Sequence, residues 1–433
     1  MSTVSSAPQA ITREALAGLL GPRPGGLHVR LWDGSHWPDA APRPATLVLQ
    51  HPGALRAMFL PANEVALGEA YLYDDVDVEG SLEALYDGLL PLLTHRPPWP
   101  QRLGLLRLLR RLPAESRREA TLAERDGGAR GPARLRGRRH SVGRDRLAVT
   151  YHYDVPGAFF RLWQDPLMVY SCAYFASADE DLDAAQARKL DYNCRKLRLR
   201  PGQRLLDLGC GWGALVMHAA RAYGVDATGI TLSRPQAEEA TERIRAAGLA
   251  DRCRVLVQDY REMREPAAYD ALVSVGMFEH VGRGLLPTYF RRAWDLLRPG
   301  GPFLNHGIAQ RATERRPRGR TFSDTYVFPD GETLPLSVTL RAAEGAGFEV
   351  RDVESLREHY ALTLRHWVRR LEAHHAEALA HVDEPTYRVW RLFMSGSAQG
   401  FRRGRLNVYQ TLLVKPDAAG ARHLPLSRAD WYA

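Results

Sequence analysis

Glu279 and His280 close an apolar run, ALVSVGMFEHVG (271–282), so a carboxyl and an imidazole stand side by side where a hydrophobic strand ends. In apolar surroundings a carboxyl loses its usual acidity and can serve as proton acceptor, donor or anchor. The second stretch with chemical potential is DLGCGWG, Asp207 to Gly213. It follows a strand-like run and opens a helical one. Its glycines let a ligand approach the backbone closely, and the helix start offers unpaired N–H groups. The third is Gln258-Asp259-Tyr260, which ends another strand-like run with a carboxylate and a ring.

A glycine-rich turn alone says little, because nicotinamide and flavin sites use similar ones. Here the pattern is D-x-G-x-G-x-G, with the acid ahead of the glycines, and no G-x-x-x-x-G-K-[ST] loop occurs. Asp259 and Tyr260 stand where a carboxylate and a ring could hold adenine. Together these features read as the cofactor site of a class I S-adenosylmethionine methyltransferase. A purely structural turn would leave the matching QDY unexplained. One place departs from that class. The second strand ends in GITLS (229–233), with no acid for ribose hydroxyls and with Gln236 just beyond.

These residues need a frame, and the hydropathy pattern supplies one. From Gln203 onward, strand-like runs (QRLLDLG, DATGITL, CRVLVQDY, YDALVSVGMFEH) alternate with helical ones, which predicts a doubly wound, mostly parallel sheet. FEVRDVES and LNVYQTLLVK read as further strands. Residues from about Ile11 to Leu93 predict a small mixed α/β domain without a catalytic constellation. PPWP (97–100) then precedes QRLGLLRLLRRL, a helix with Leu105, Leu108, Leu109 and Leu112 on one face and Arg107, Arg110 and Arg111 elsewhere. Such a helix lies on a membrane or docks on a domain with its arginines in solvent. The expected division is 1–112, an N-terminal domain ending in that helix; 113–147, an Arg-rich flexible linker; and 148–433, the catalytic domain.

Composition narrows the classes. At 433 residues with 45% apolar content the chain can build a real core. Its four cysteines, Cys172, Cys194, Cys210 and Cys253, show neither C-x-x-C pairing nor zinc spacing, so no metal site or disulfide framework is expected. No segment approaches a spanning helix, which predicts a soluble or peripheral protein. The formal charge of +9 is concentrated. Residues 101–146 hold 14 arginines against five carboxylates, an excess equal to that of the whole chain. RATERRPRGR (311–320) adds five arginines against Glu314. Such patches expect an anionic partner.

From Tyr151 to the C-terminus the chain resembles cyclopropane fatty acid synthases and mycolic acid methyltransferases. The resemblance rests on YHYDVPGAFFRLWQDPLMVYSCAYF (151–175), LDLGCGWGAL, GITLSRPQ, QDYREM, GMFEHVG, NHGI (305–308), YVFPDGETLP and GFRRGRLNVYQTLL, all in the family's order. It implies a class I fold with added helices over a lipid site. It also implies attack of a cis double bond on a sulfonium methyl, then loss of one proton to a bound bicarbonate ion. By motif, that anion falls to Glu279, His306, the Ile308 backbone, Tyr360 and the backbone near Cys172. S-adenosylmethionine falls to Tyr170, Ser171, Asp207, Gly209, Gly211, Thr231, Leu232, Gln236, Asp259 and Tyr260. His280 is placed behind the anion or against the cofactor. Implied partners are an unsaturated fatty acyl phospholipid and an anionic membrane surface, with the protein peripheral on the inner face of the cytoplasmic membrane. No nucleic acid is expected. A homodimer, and a separate reductase acting on a 10-methylene product, stay open.

Singly, these residues have structural explanations. A lone Cys172 reads as a core thiol, and a lone His306 as a structural histidine. Their common spacing favours the functional reading. Three features depart from the family pattern. Ser397 stands where close relatives carry a cysteine, Gly307 replaces the threonine of H-T-I, and DTYVFPDGE is unusually acidic. These changes bear on whether the product is a cyclopropane or a methylene chain. A nucleic-acid methyltransferase lacks a base-flipping motif here. A small-molecule methyltransferase would need neither a long apolar tunnel nor a basic surface.

Overall fold

The computed structural model describes residues 7–20, 27–94, 98–118, 131–153, 155–314, 319–417 and 425–432. Its contacts divide into two units, and neither is one continuous segment. The first takes the described parts of Met1–Pro132, Pro317–Val327 and Ala378–Gln399. It holds a four-stranded sheet of β1 (His28–Arg30), β2 (His36–Trp37), β3 (Ala45–Leu49) and β4 (Val76–Gly80), in the order β2-β1-β3-β4. The catalytic domain expected from 148 onward therefore gives two segments to this unit. The contacts explain why. Tyr326 donates its hydroxyl hydrogen to Glu69 Oε1 at 2.6 Å, and Arg388 Nη1 donates to the Tyr71 carbonyl at 2.8 Å. The leucine-faced helix, Trp99–Arg111, turns Leu109 inward and leaves Arg107, Arg110 and Arg111 exposed.

The second unit takes the described parts of Ala133–Arg316, Phe328–Glu377 and Gly400–Ala433. The stretch read as a linker ends in order, since helix Val142–Tyr153 begins inside it. Residues 119–130 of that stretch, and 315–318 of the second arginine cluster, lie outside the described residues. The unit is built on β5 (Arg204–Leu208), β6 (Asp226–Thr231), β7 (Cys253–Val257), β8 (Ala271–Val275), β9 (Pro302–Gln310), β10 (Glu349–Ser355) and β11 (Leu406–Val414). These form one sheet in the order β10-β11-β9-β8-β5-β6-β7. β5 to β9 run parallel, while β11 lies antiparallel between β9 and β10. The protein is an α/β class I methyltransferase fold with a mostly parallel sheet.

Sequence composition dictates this layering. β5 and β8 are near-continuous apolar runs, as strands covered on both faces must be. One face packs on helix Leu286–Leu296 through Tyr289, Phe290 and Phe303. The other packs on helices Leu182–Lys196 and Ala214–Tyr223 through Leu190, Val216 and Leu304. Each such side chain contributes roughly 1.5–3 kcal/mol on full burial. From β5 the chain adds β6 and β7 on one side, then crosses to β8 and β9 on the other. The crevice at the carboxyl ends of β5 and β8 is thus the topological switch point, where such sheets take their ligands.

Candidate active site

The glycine loop leaves β5 and turns back immediately. The backbone N–H groups of Gly209 and Cys210 both donate to the Ile230 carbonyl at 3.0 Å, tying the loop to β6. Gly209 has φ +92°, and a Cβ there would lie 2.7 Å from Met277 Cβ, so only glycine fits. Ser233 caps helix Arg234–Ala246 by accepting from the Gln236 N–H at 3.4 Å. That helix start brings Gln236 Oε1 to 2.9 Å from the Thr231 hydroxyl.

These turns enclose a cavity at the switch point. Tyr170, Ser171, Asp207, Gly209 and Gly211 line it, and so do Thr231, Leu232, Gln236, Asp259 and Tyr260. His280 lines it too. Of the lining residues not singled out from sequence, Arg261 and Lys189 are the two cations. Arg261 grips Asp259 with Nε to Oδ1 at 2.8 Å and Nη2 to Oδ2 at 2.6 Å, and Nη2 also reaches Asp145 Oδ2 at 2.9 Å. The Asp259 charge is therefore matched, which suits it to a neutral donor such as an adenine amine. The other is Lys189, whose Nζ donates to Ser171 Oγ at 2.7 Å. Burial pushes this lysine down to about 8, and pushes Asp207 up to about 7 against the pull of Lys189.

The cavity fits S-adenosylmethionine by its own chemistry. Asp207 Oδ1 and the Tyr260 hydroxyl are buried without hydrogen-bond partners among the described residues. Orphaned polar atoms facing a cavity need a ligand or water. A charged pair, open backbone N–H groups and an aromatic wall suit an amino acid joined to a nucleoside.

None of Glu279, His306, Ile308, Tyr360 and Cys172 lines this cavity. Glu279 sits on a 3₁₀ turn, Phe278–His280, just past β8. Its Oε1 accepts from the Ile308 N–H at 2.7 Å, while Oε2 is buried without a partner. Burial pushes this carboxyl up to about 7, moderated by the Ile308 N–H. Tyr360, on helix Arg357–Ala373, is pushed up by burial and by the neighbouring Cys172, Glu279 and Tyr153. The Cys172 thiol is fully buried, donates to the Ala173 carbonyl at 3.3 Å, and is also pushed up by burial. His306 on β9 has Nδ1 3.1 Å from Gln410 Nε2 and a buried, unpartnered Nε2. Burial holds its imidazole well below the usual range. The structure thus joins Glu279 to Ile308 directly and sets Tyr360 within electrostatic reach of Glu279 and Cys172, with His306 turned to Gln410.

Aromatic rings cover the approach. Phe160 stands 5.1 Å from Trp212, Tyr170 5.2 Å from Trp367, and Tyr360 4.6 Å from Phe401, centroid to centroid. The acidic PDGE segment has a plain structural account. Asp330 pairs with Arg144, whose Nη2 lies 3.0 Å from Oδ1, and Glu332 pairs with Arg139 at 3.2 Å. It is the counter-charge of the arginine run. Ser397 lies half-buried on helix Glu384–Arg402 in the other unit.

Residues 140–411 match the family model described as mycolic acid cyclopropane synthetase. A probable fatty acid methyltransferase of Pseudomonas putida is 41% identical over 411 residues, covering 94% of this chain and 96% of its own. Cyclopropane mycolic acid synthase 1 of Mycobacterium tuberculosis is 37% identical over 273 residues, 60% of this chain and 94% of its own. Among solved structures, the mycolic acid cyclopropane synthase CmaA1 complexed with SAH and CTAB superposes with a TM-score of 0.59 at 36% identity, covering 62% of this chain and 97% of that one. With its glycine loop, QDY strand end and buried Glu279 in this order, the chain belongs to the mycolic acid cyclopropane synthetase family of S-adenosylmethionine-dependent fatty acyl methyltransferases.

Proposed function

We propose that the protein adds a one-carbon unit to the cis double bond of an unsaturated acyl chain in a membrane phospholipid and closes it to a cyclopropane. The observation that carries this is the buried Glu279 carboxyl, tuned to about 7 and bonded to the Ile308 N–H among residues that burial keeps neutral. When bound, S-adenosylmethionine supplies an electrophilic methyl group, and its transfer to an alkene leaves a carbocation that must lose one proton. Water would capture that cation, so the wall of Tyr153, Phe160, Tyr170, Trp212 and Trp367 has to exclude it. Bicarbonate suits the remaining task. Glu279 Oε2 and His306 Nε2 are buried and unpartnered, and with the Tyr360 hydroxyl and the backbone at Cys172 they would hold a small hydroxylated anion, while the Ile308 N–H, already donated to Glu279 Oε1, would fix the carboxyl instead of the anion. Glu279 would accept the anion's own proton in a hydrogen bond and orient it.

The phospholipid reading draws on the exposed arginines and on Trp99, 72% exposed at the start of helix Trp99–Arg111. Among the described residues no helix is long and apolar enough to cross a membrane. The protein would work peripherally on the inner face of the cytoplasmic membrane. Binding to vesicles rich in phosphatidylglycerol should weaken as salt rises, at about 1 kcal/mol per arginine that reaches the surface. Salt-insensitive sedimentation would remove the electrostatic contact.

The product test is proton NMR of dioleoyl phosphatidylglycerol after incubation with the enzyme, S-adenosylmethionine and bicarbonate. Upfield ring-methylene signals are expected, with a slower rate in carbonate-free buffer. A second outcome is a 10-methylene chain, because the Pseudomonas putida relative, which covers 94% of this chain, carries a fatty acid methyltransferase name and not a cyclopropane synthase one. Vinylidene protons would establish that 10-methylene product, which a separate reductase would then complete. Unmodified lipid would remove phospholipid as the substrate.

A further inference from the structure

Resting on the S-adenosylmethionine cavity above, we propose that Lys189 is the cation that receives the α-carboxylate of the cofactor's methionyl end, together with the Ser171 hydroxyl. The cofactor is a neutral nucleoside joined to a zwitterionic amino acid. At the QDY end of the cavity Arg261 is already engaged by two carboxylates, both oxygens of Asp259 and Oδ2 of Asp145, so it has no charge to spare for a ligand carboxylate. The other fixed charges lining the cavity near the glycine loop are Lys189 and Asp207, one of each sign. Opposite charges in one buried site complement a zwitterion, with Asp207 Oδ1, which has no partner, left for the α-ammonium.

Lys189 is 2% exposed, and an ammonium is buried at high cost unless something answers its charge. Among the described residues it forms no direct ion pair. Asp165 exerts the largest electrostatic pull on it, yet that carboxylate is bonded to the N–H groups of Val169 at 3.0 Å and Leu167 at 2.9 Å. The contact Lys189 does make is to Ser171 Oγ. With its oxygen occupied as acceptor, the Ser171 hydroxyl keeps its own hydrogen to donate. Ammonium and hydroxyl then form a two-donor cradle, and the low dielectric strengthens both bonds to a carboxylate. Helix Leu182–Lys196 fixes the cradle, since Gln186, one turn earlier, donates from Nε2 to the Ser171 carbonyl at 2.9 Å.

Calorimetry with three ligands tests this: S-adenosylhomocysteine, its decarboxylated analogue, and 5′-methylthioadenosine. Wild-type protein should bind the first between about tenfold and about a hundredfold more tightly than the second, the worth of a charged hydrogen bond. Lys189→Met should erase that preference and leave the other two affinities unchanged. Lys189→Met binding S-adenosylhomocysteine like wild type, or losing all three ligands alike, overturns the proposal. If Lys189→Met does not fold, Lys189→Arg takes its place, because it keeps the charge but displaces it. A drop confined to the carboxylate-bearing ligand supports the assignment, and a uniform drop or none overturns it. Failure of wild type to bind 5′-methylthioadenosine at all would instead remove the cofactor cavity, and the inference with it.

Discussion

The cofactor cavity and the buried cluster around Glu279 belong to one unit but differ in whether a buried charge has an opposite charge near it. The cavity sets opposite charges against each other: Arg261 with Asp259 at one end, and at the other Lys189 and Asp207, which burial pushes toward neutrality and each other's charge pulls back. In the cluster, burial drives every titrating group toward its neutral form, raising Glu279, Tyr360 and Cys172 and lowering His306. A zwitterionic ligand needs the first environment. A carbocation next to a weak base needs the second, because stray nucleophiles and water would capture it. Glu279 alone is placed near neutrality rather than far from it, and so can change protonation state at working pH.

Mutations on either side of this divide should separate cleanly. The largest effect belongs to Gly209→Val, where a side chain meets both a left-handed backbone and Met277. Overpacking and strain of about 1–3 kcal/mol each, borne by the loop that holds the ligand, predict a loss of S-adenosylhomocysteine affinity between about thirtyfold and about 2 × 10⁴-fold. Unchanged binding by calorimetry would dissolve the cavity side of the comparison. Glu279→Gln should do the reverse, lowering turnover by about 10²–10⁴-fold, the range for a positioned acid–base group, with cofactor affinity retained. Loss of cofactor binding in that variant would merge the two regions into one.

Stability against pH tests the neutral character of the cluster directly. The folded-state value of Glu279, about 7, lies above its ordinary 4.5. The protonated form is therefore the one the fold favours. Its contribution is complete below pH 4.5 and is lost as pH rises through 7. Relative to Glu279→Gln, the wild-type ligand-free protein should lose on the order of 3 kcal/mol across that window. Parallel stability curves for the two proteins would mean that the carboxyl is solvated.

The two regions also differ in how far the sequence announced them. Cavity residues sit at consecutive strand ends, so DLGCGWG, GITLS and QDY carry their positions with them. The cluster is assembled from a 3₁₀ turn, β9, helix Arg357–Ala373 and the segment around Cys172, and no local pattern says that these meet. Lys189 was hidden differently. In LDAAQARKLDYNCRK the charges alternate like those of a solvated helix, yet Gln186, Lys189, Asn193 and Lys196 are all buried. At offsets of three, seven and ten they share a face with Leu182 and Ala185, and polar residues on an apolar face were the available signal. PDGE was legible as acidic but not as paired, because its arginine partners lie nearly two hundred positions away. The grouping of the described part of Pro317–Val327 with that of Met1–Pro132 was hidden in the same way: the contact between Tyr326 and Glu69 leaves no trace in composition.

The smallest predicted effect probes the seam itself. A Cβ on Gly307 would lie 1.8 Å from Phe278 Cε1. The ring occupies the space that a side chain would need. Gly307→Ala must therefore push Phe278 aside, at about 1–3 kcal/mol for an overpacked core. Phe278 immediately precedes Glu279, and Gly307 immediately precedes the Ile308 N–H that holds the carboxyl. The strain should reach that 2.7 Å bond and lower turnover, but not cofactor affinity, since neither residue lines the cavity. Phe278→Leu opens the missing space at its own cost. The double variant should then melt higher than the sum of the two single losses allows, because the partners touch. Strict additivity would show that Phe278 moves freely, and that the glycine at 307 has no part in setting the Glu279 carboxyl.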